Sequence, residues 1–188
     1  MRREIVLAGV GGQGLLTLAA VISRAALDQG LFVKQSEVHG MSQRGGAVES
    51  HVRISDRKIH SPVIPKGRAD LILAMEPMEG LRHLEYLAPE GAMVANSVPV
   101  KNIPNYPDEE EILAEIRSLP RHLLLDAVTI AREIGSLRSA NIVLLGAGAE
   151  FIGLPEGALV RAIEELFGNR KELAEVNLEA FRRGRAAR

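Results

Sequence analysis

Two glycine-rich segments near the amino end contain the residues best suited to bind a ligand. The first, GVGGQG at residues 9–14, matches G-x-G-x-x-G, in which glycines allow a tight turn and close approach of the backbone to an anion. The second, EVHGMSQRGG at residues 37–46, combines a histidine, a serine, a glutamine and an arginine with three glycines. Backbone N–H groups and a guanidinium are suitable donors for phosphate or carboxylate. We therefore predict an anion-binding site built from both segments.

The candidate binding residues in these segments are the glycines and the polar side chains: Gly9, Gly11, Gly12, Gln13, Gly14, His39, Gly40, Ser42, Gln43, Arg44, Gly45 and Gly46. Arg44 is the only permanent cation among them, and its planar fork matches an oxyanion. A structural alternative stays open for each segment. The first would then be a tight turn without a ligand, and Arg44 would pair with Glu37 or with a helix end.

Three further polar residues each follow a predicted strand. Glu76 and Asn96 are added to the candidate binding residues, and Asp126 occupies a similar position. The alternative role for all three is to cap the helix that begins next to them.

The sequence predicts neither a catalytic residue nor a metal site. Ser42 is three residues from His39, but the G-x-S-x-G pattern of a nucleophilic serine is absent. The five histidines are scattered and form no H-E-x-x-H pattern. There is no cysteine, which excludes disulfides, thiolate catalysis and a cysteine-held iron–sulfur cluster on this chain. The lack of cysteine is consistent with a reducing cytosol, so we predict a cytoplasmic location.

The elements that position these segments follow the pattern of an α/β protein. Residues 5–8 predict a strand buried on both faces, residues 15–28 a buried helix and residues 31–33 a second strand, which together form a βαβ unit. Further short apolar runs predict strands at residues 71–74, 92–95 and 123–125. The remainder, after residue 126, is predominantly helical in pattern.

Residues 47–54 alternate between apolar and polar side chains, although Ser50 lies on the apolar face. This period of two predicts a half-exposed strand. Asp56 and Arg57 predict a turn that pairs this strand with residues 58–61 in a hairpin.

Composition indicates one domain over residues 1–188. We predict a single Rossmann-like, open and mostly parallel sheet with helices on both faces, a β-hairpin extension and a helical C-terminus. A formal net charge of −1 and 3% aromatic residues argue against a nucleic-acid partner. Glycines and Gln13 interrupt the apolar amino-terminal run, so neither a signal peptide nor a membrane span is predicted, and no membrane partner is expected.

A self-sufficient NAD(P)-binding dehydrogenase is the alternative function. Such enzymes carry a carboxylate about 20 residues after the glycine turn, at the end of the second strand, to bind the ribose. Here Lys34, Gln35 and Ser36 occupy the predicted strand end, and Glu37 follows it. This arrangement fits a dinucleotide site poorly.

Several stretches resemble the gamma subunit of 2-oxoacid:ferredoxin oxidoreductases. They are GVGGQG, EVHGMSQRGG, AMEPMEGLRHL at residues 74–84, NSVP at residues 96–99 and NIVLLGAGA at residues 141–149. The similarity extends from about residue 3 to residue 180. The motif HGMSQRGG is most similar to that of the small (beta) subunit of indolepyruvate ferredoxin oxidoreductase.

The resemblance implies a non-catalytic subunit with a pyruvate/ketoisovalerate oxidoreductase gamma-type domain. Enzymes of this family decarboxylate a 2-oxoacid on thiamine diphosphate, pass electrons through iron–sulfur clusters to ferredoxin and form an acyl-coenzyme A. Thiamine diphosphate and the clusters are expected on alpha/beta-type catalytic partner subunits. This chain is expected to help bind coenzyme A and to close the active site of those partners. For the isolated chain, a homodimer stays an open alternative.

Overall fold

A six-stranded sheet forms the centre of the computed structural model, which describes residues 1–40 and 45–187. The strands lie in the order β2-β3-β1-β4-β5-β6. Their bounds are Arg2–Val10 for β1, Phe32–His39 for β2, Ala47–Ser55 for β3, Ala69–Ala74 for β4, Leu87–Asn96 for β5 and His122–Leu125 for β6. β1, β4, β5 and β6 pair in parallel, whereas β3 is antiparallel to both β1 and β2. The predicted α/β fold is confirmed.

Seven α-helices surround this sheet in the described part of the chain. They are Leu15–Asp28 (α1), Pro77–Arg82 (α2), Glu109–Ser118 (α3), Ala127–Glu133 (α4), Ala140–Ile152 (α5), Glu156–Phe167 (α6) and Lys171–Ala186 (α7). Short 3-10 helices span Leu84–Tyr86 and Leu137–Ser139. None of the described helices is both long enough and apolar enough to cross a membrane.

The first strand is buried on both faces, as its continuous apolar run predicts. Ile5 and Leu7 point into a core shared with α1 and α5, while Val6 and Ala8 point into a second core shared with α2 and α3. All four side chains are inaccessible to solvent. The sheet therefore lies between two helical layers, and β1 is central to both cores.

Two predictions for residues 47–54 were wrong: the strand with which they pair and their exposure to solvent. β3 does not form a hairpin with residues 58–61, which contain no strand. Instead it pairs with β2 on one side and β1 on the other, so the predicted βαβ unit has a strand inserted in its middle. The strand is also largely buried rather than half exposed, because its polar side chains have partners: His51 contacts Glu49, and Arg53 binds Glu4 at 2.6 and 2.9 Å.

Side-chain caps fix the starts of the helices that follow the sheet strands. Asp108 accepts hydrogen bonds from Glu110 N and Glu111 N at the start of α3. Asp126 accepts from Thr129 N at 2.7 Å at the start of α4, which confirms its predicted capping role. These caps place the first turns of both helices at defined positions beside the sheet.

Candidate functional site

Those predicted site residues that the structure describes lie at one edge of the sheet. β1, β4, β5 and β6 all point their carboxyl ends to this edge, β2 ends there and the antiparallel β3 begins there. The glycine turn of residues 9–14, residues 45–46, Glu76, Asn96 and Asp126 are thereby brought to the same side of the molecule. The carboxyl edge of a parallel sheet is where α/β proteins generally bind ligands.

The glycines of the turn meet different steric requirements. Gly12 and Gly14 adopt φ values of 102° and 79°, in the left-handed region that favours glycine. Gly9 is needed for close packing, because a Cβ there would lie 2.7 Å from Gln13 Oε1 and 3.1 Å from the Cβ of Met75. The glycines of this turn are therefore needed for two reasons: the backbone conformation at Gly12 and Gly14, and the close packing at Gly9.

The Gln13 side chain holds the glycine turn in place through two hydrogen bonds. Its Oε1 accepts a hydrogen bond from Val10 N at 2.8 Å, and its Nε2 donates to the carbonyl of Met75 at 3.1 Å. The side chain thus joins the end of β1 to the end of β4. With both ends of its amide bonded to the protein, Gln13 positions the turn rather than presenting a free group to a ligand.

The second segment is hydrogen bonded directly to the glycine turn. Gly11 donates its N–H to the carbonyl of Gly46 at 2.8 Å, and Gly45 donates to the carbonyl of Gly11 at 3.2 Å. Asn102 also donates to the carbonyl of Gly45. The glycine turn and residues 45–46 are therefore joined at the sheet edge.

The central residues of this second segment, Ser42, Gln43 and Arg44, lie outside the described residues. On its amino-terminal side, Gly40 N donates to the carbonyl of Ala47 at 2.9 Å and closes the β2–β3 hairpin. The His39 side chain is 55% exposed, with its Nε2 2.7 Å from Glu37 Oε1. His39 is thus accessible at the edge, whereas Glu37 is mostly covered.

Glu76 is fully buried at the end of β4 and caps α2. Its Oε2 accepts from Glu79 N at 2.8 Å, and its Oε1 accepts from Val100 N at 3.3 Å and from the Tyr106 hydroxyl. Burial, together with the hydrogen bond to the Glu76 carboxylate, raises the pKa of the Tyr106 hydroxyl above its usual range. Glu76 therefore joins α2 to the segment after β5.

Asn96 is equally buried and equally well bonded. Its Nδ2 donates to the carbonyls of Met75 at 3.3 Å and Val98 at 2.9 Å, and its Oδ1 accepts from Ala127 N at 3.1 Å. The side chain thus connects β4, β5 and the start of α4. These contacts favour a role in shaping the edge for both Glu76 and Asn96.

Glu79 is a site residue that the sequence did not indicate. This residue is 2% exposed and lines a cleft of about 320 Å³, next to Gly45, Gly46 and Asn102. Within the described residues its Oε2 is buried without a hydrogen-bond partner, and its Oε1 lies 3.6 Å from Arg82 Nη1. Its position three residues after the capping Glu76 suggests an ordinary exposed first-turn carboxylate, so the sequence gives no signal of burial.

Asn141 is a second residue of the edge that was not predicted, and its Nδ2 donates to the carbonyl of Gly14 at 3.1 Å. Asn141 is buried at the start of α5 and so supports the glycine turn from a distant part of the chain. A sequence signal exists here, because Asn141 is the one polar residue in the apolar run NIVLLGAGA. A buried amide requires hydrogen-bond partners, which this contact supplies.

Comparison with known proteins identifies the family. The sequence profile described as pyruvate ferredoxin/flavodoxin oxidoreductase matches residues 4–187. The chain belongs to this family. It is 37% identical to the indolepyruvate oxidoreductase subunit IorB of Archaeoglobus fulgidus, over 98% of this chain and 94% of the relative.

Solved structures of the same family share the fold. The chain is similar to the pyruvate oxidoreductase subunit PORC of Thermotoga maritima, with a TM-score of 0.76, 25% identity and coverage of 99% of this chain and 96% of that chain. It is also similar to the 2-oxoglutarate:ferredoxin oxidoreductase of Magnetococcus marinus, with a TM-score of 0.77 and 26% identity over 98% of this chain. That structure contains 2-oxoglutarate, coenzyme A and succinyl-CoA, and this chain corresponds to 30% of the longer chain. The predicted resemblance to oxidoreductase gamma subunits is confirmed.

Proposed function

We propose that this chain is the small, non-catalytic subunit of a thiamine diphosphate-dependent 2-oxoacid:ferredoxin oxidoreductase that produces an acyl-coenzyme A and CO2. Its relatives are named subunits of such enzymes, and the 37% identity to an indolepyruvate oxidoreductase subunit supports an aryl pyruvate as the substrate. In this proposal the chain helps to bind coenzyme A and closes the active site of alpha/beta-type catalytic subunits, which pass electrons to ferredoxin.

The observation that carries the proposal is the direct hydrogen bonding of the second segment to the glycine turn. This junction lies where α1 begins, and the first turn of α1 contains no acidic side chain and no side-chain cap. Helix N-termini attract anions through free N–H groups and the helix dipole. Apart from its chain neighbours, nothing described lies within 4 Å of the position that a Cβ on Gly12 would take, so the backbone is open to a ligand. These features suit the phosphate groups of coenzyme A.

The residues at that edge have two roles in this proposal, ligand contact and support of the edge. The backbone of Gly12, together with Arg44 and His39, would contact the phosphate-bearing ligand. Gly11 joins the two segments, because its N–H and C=O already bond Gly46 and Gly45. Gln13, Glu76 and Asn96 would hold the edge in shape through the hydrogen bonds described above. The chain has no cysteine, so cysteine-ligated iron–sulfur clusters belong to partner subunits. Thiamine diphosphate, also held by a partner, supplies the decarboxylation chemistry.

The dehydrogenase alternative is disfavoured by the strand order. β3 lies between β1 and β2, so the end of β2 is two strand spacings, roughly 10 Å, from the end of β1. Glu37 is also mostly buried and is close to His39. A ribose carboxylate must be at the neighbouring strand end and accessible. Glu37 meets neither condition.

Arg44 gives the sharpest test of the proposed site. In the complex reconstituted with its catalytic partners, we expect Arg44→Ala to raise the Michaelis constant for coenzyme A about tenfold to a hundredfold, since a charge-assisted contact is worth about 1.5–3 kcal/mol. Arg44→Lys should restore binding only in part, because the planar fork is lost.

Arg117→Ala is the matched control, because Arg117 is exposed on α3 and pairs with Glu110. It should leave the coenzyme A dependence unchanged. A well-assembled Arg44→Ala complex with the wild-type Michaelis constant would contradict the phosphate-binding role of Arg44. Failure of the wild-type chain to assemble with any catalytic subunit would contradict the proposed function as a whole.

A further inference from the structure

The β2 strand forms a long open edge of the sheet. It runs for eight residues, pairs with β3 on one side and has no described strand on its other side. The opposite edge, β6, has only four residues. An open strand edge presents unpaired backbone N–H and C=O groups that can pair with another strand.

Two of the usual devices that protect a strand edge, proline and a bulge, are missing from β2. The strand contains no proline, and its pairing with β3 is regular over its full length, without a bulge. Two apolar side chains near the opposite ends of the strand are exposed: Phe32 at 50% and Val38 at 64%. Lys34 is the one cation, and its Nζ is directed to the carbonyl of His60 at 3.5 Å. A long, regular strand edge that exposes two large apolar side chains is a candidate for pairing with another strand.

The sequence of β2 is complementary to itself. In an antiparallel pairing with Gln35 opposite the same residue of a second copy, Phe32 of each copy is opposite Val38 of the other, and Lys34 is opposite Ser36. All four of these side chains share one face, because strand side chains alternate. Each copy thus contributes one aromatic and one β-branched residue to two equivalent apolar contacts, a favourable type of cross-strand pair.

The other face of this pairing is compatible as well. The two Gln35 side chains meet at the two-fold axis. Each Nε2 contacts Ser50 Oγ at 3.4 Å within its own copy, which leaves the rest of the amide to donate to or accept from the other copy. Val33 and Glu37 are opposite one another, and both are already partly covered within their own copy. Neither face brings like charges directly opposite each other.

We propose that a second copy of this chain pairs with β2 in antiparallel orientation, with the two-fold axis at Gln35, so that the two sheets form one continuous sheet. A two-fold contact is self-complementary and closes, which limits the assembly to a dimer. This proposal concerns the oligomeric state of the chain and does not depend on coenzyme A or on the catalytic subunits.

The absence of cysteine allows a direct test of the register, because every introduced cysteine is the only one in the chain. Opposite residues in antiparallel strands have Cα atoms about 4.5–5.5 Å apart, within the range that a disulfide spans. On mild oxidation, Gln35→Cys should form a disulfide-linked dimer in high yield. Lys34→Cys and Ser36→Cys should form much less, because each is displaced from its symmetry mate along the strand.

The apolar contacts are tested by sedimentation of the unmodified full-length chain. The wild type should sediment at twice the chain mass of 20.3 kDa. Phe32→Lys combined with Val38→Lys should raise the dimer dissociation constant by about tenfold or more, because each apolar contact is replaced by two ammonium groups. Leu137→Lys is the matched control: Leu137 is 58% exposed outside the sheet and should leave the dimer intact. Circular dichroism of each variant shows that it is folded.

Three results would overturn the proposal. The first is a wild-type chain that sediments as a monomer. The second is a dimer that persists in the folded double-lysine variant, which would place the interface elsewhere, for example at the exposed Leu16 and Leu166. The third is a disulfide yield that does not peak at Gln35→Cys, which would contradict the proposed register.

Discussion

At the scale of single residues, the carboxyl edge of the sheet is shaped by side chains whose hydrogen bonds end within the protein. Gln13 and Asn96 both donate to the carbonyl of Met75, and Asn141 supports the glycine turn through Gly14. These amides convert the ends of separate strands into one fixed surface. Substitutions here should therefore act first through stability and only then through ligand binding.

Gly14 combines backbone strain with a close contact. We expect Gly14→Ala to lower the free energy of unfolding by about 2–4 kcal/mol: the φ value of 79° is strained for alanine, and the added Cβ would lie 2.5 Å from Asn141 Nδ2. Gly67→Ala is the control for strain alone, since Gly67 has a φ of 70° with no neighbour within 4 Å. Urea unfolding of both variants separates the two effects. Equal losses would show that the contact with Asn141 is unimportant.

Glu79 should make the stability of the protein depend on pH. Burial raises its pKa, Arg82 partly opposes this shift, and Glu76 adds to it. The folded carboxyl therefore retains its proton to a higher pH than the unfolded one, so its contribution to stability falls as pH rises above the usual glutamate pKa of about 4.3.

We expect Glu79→Gln to gain melting temperature relative to the wild type as pH rises from about 4 to 7, because the amide has no proton to lose. Glu110→Gln serves as the control, since Glu110 is 73% exposed on α3. Its difference from the wild type should be nearly constant over the same range. A constant difference for Glu79→Gln as well would contradict a raised pKa at this position.

At the scale of elements, α5 and α7 cross with their backbones in unusually close contact. The stretch of small residues at 146–149 is buried at this crossing and against the sheet. A Cβ on Gly146 would lie 2.2 Å from the carbonyl oxygen of Phe181, and one on Gly184 would lie 1.9 Å from that of Val143. Only glycine permits helices to approach this closely.

Gly184→Ala should accordingly lower the free energy of unfolding by about 2 kcal/mol or more, although alanine has the higher helix propensity. The obstructing atoms belong to the backbone of α5, so no side-chain rotation relieves the overlap. Gly157→Ala on α6 is the matched control, because its nearest neighbour is Arg161 Nη1 at 3.6 Å. That change should be neutral or stabilising by up to about 1 kcal/mol. Chemical denaturation of both variants measures the contrast, and a stabilised Gly184→Ala would contradict the crossing geometry.

At the scale of the whole molecule, the proposed function assigns a ligand-binding sheet edge to this chain and the catalytic centre to its partner subunits. We expect the purified chain to show no reduction of a dye acceptor when given a 2-oxoacid, thiamine diphosphate and coenzyme A. Addition of the catalytic subunits should restore turnover. Robust turnover by the isolated, pure polypeptide would contradict a non-catalytic role.

Local sequence patterns determined much of this protein. The apolar run of residues 5–8 predicted a doubly buried strand, the residues from 15 to 28 predicted α1, and Asp126 predicted a helix cap. The end of the second glycine-rich segment, residues 45–46, lies beside the glycine turn, as predicted. Each of these features depends on neighbouring residues or on the rule that parallel strands end at one edge, so a single sequence is sufficient to indicate them.

Other features were decided only by the tertiary structure. The alternation of residues 47–54 is compatible with a half-exposed edge strand or with a central strand whose polar side chains find partners. The inserted position of β3 was settled by distant contacts such as Arg53 with Glu4. The burial of Glu79 likewise depends on the packing of α2 beside Gly45 and Asn102, which are remote in sequence. Strand order and burial arise from non-local packing, and the periodicity of one segment carries no information about which segment will pack against it.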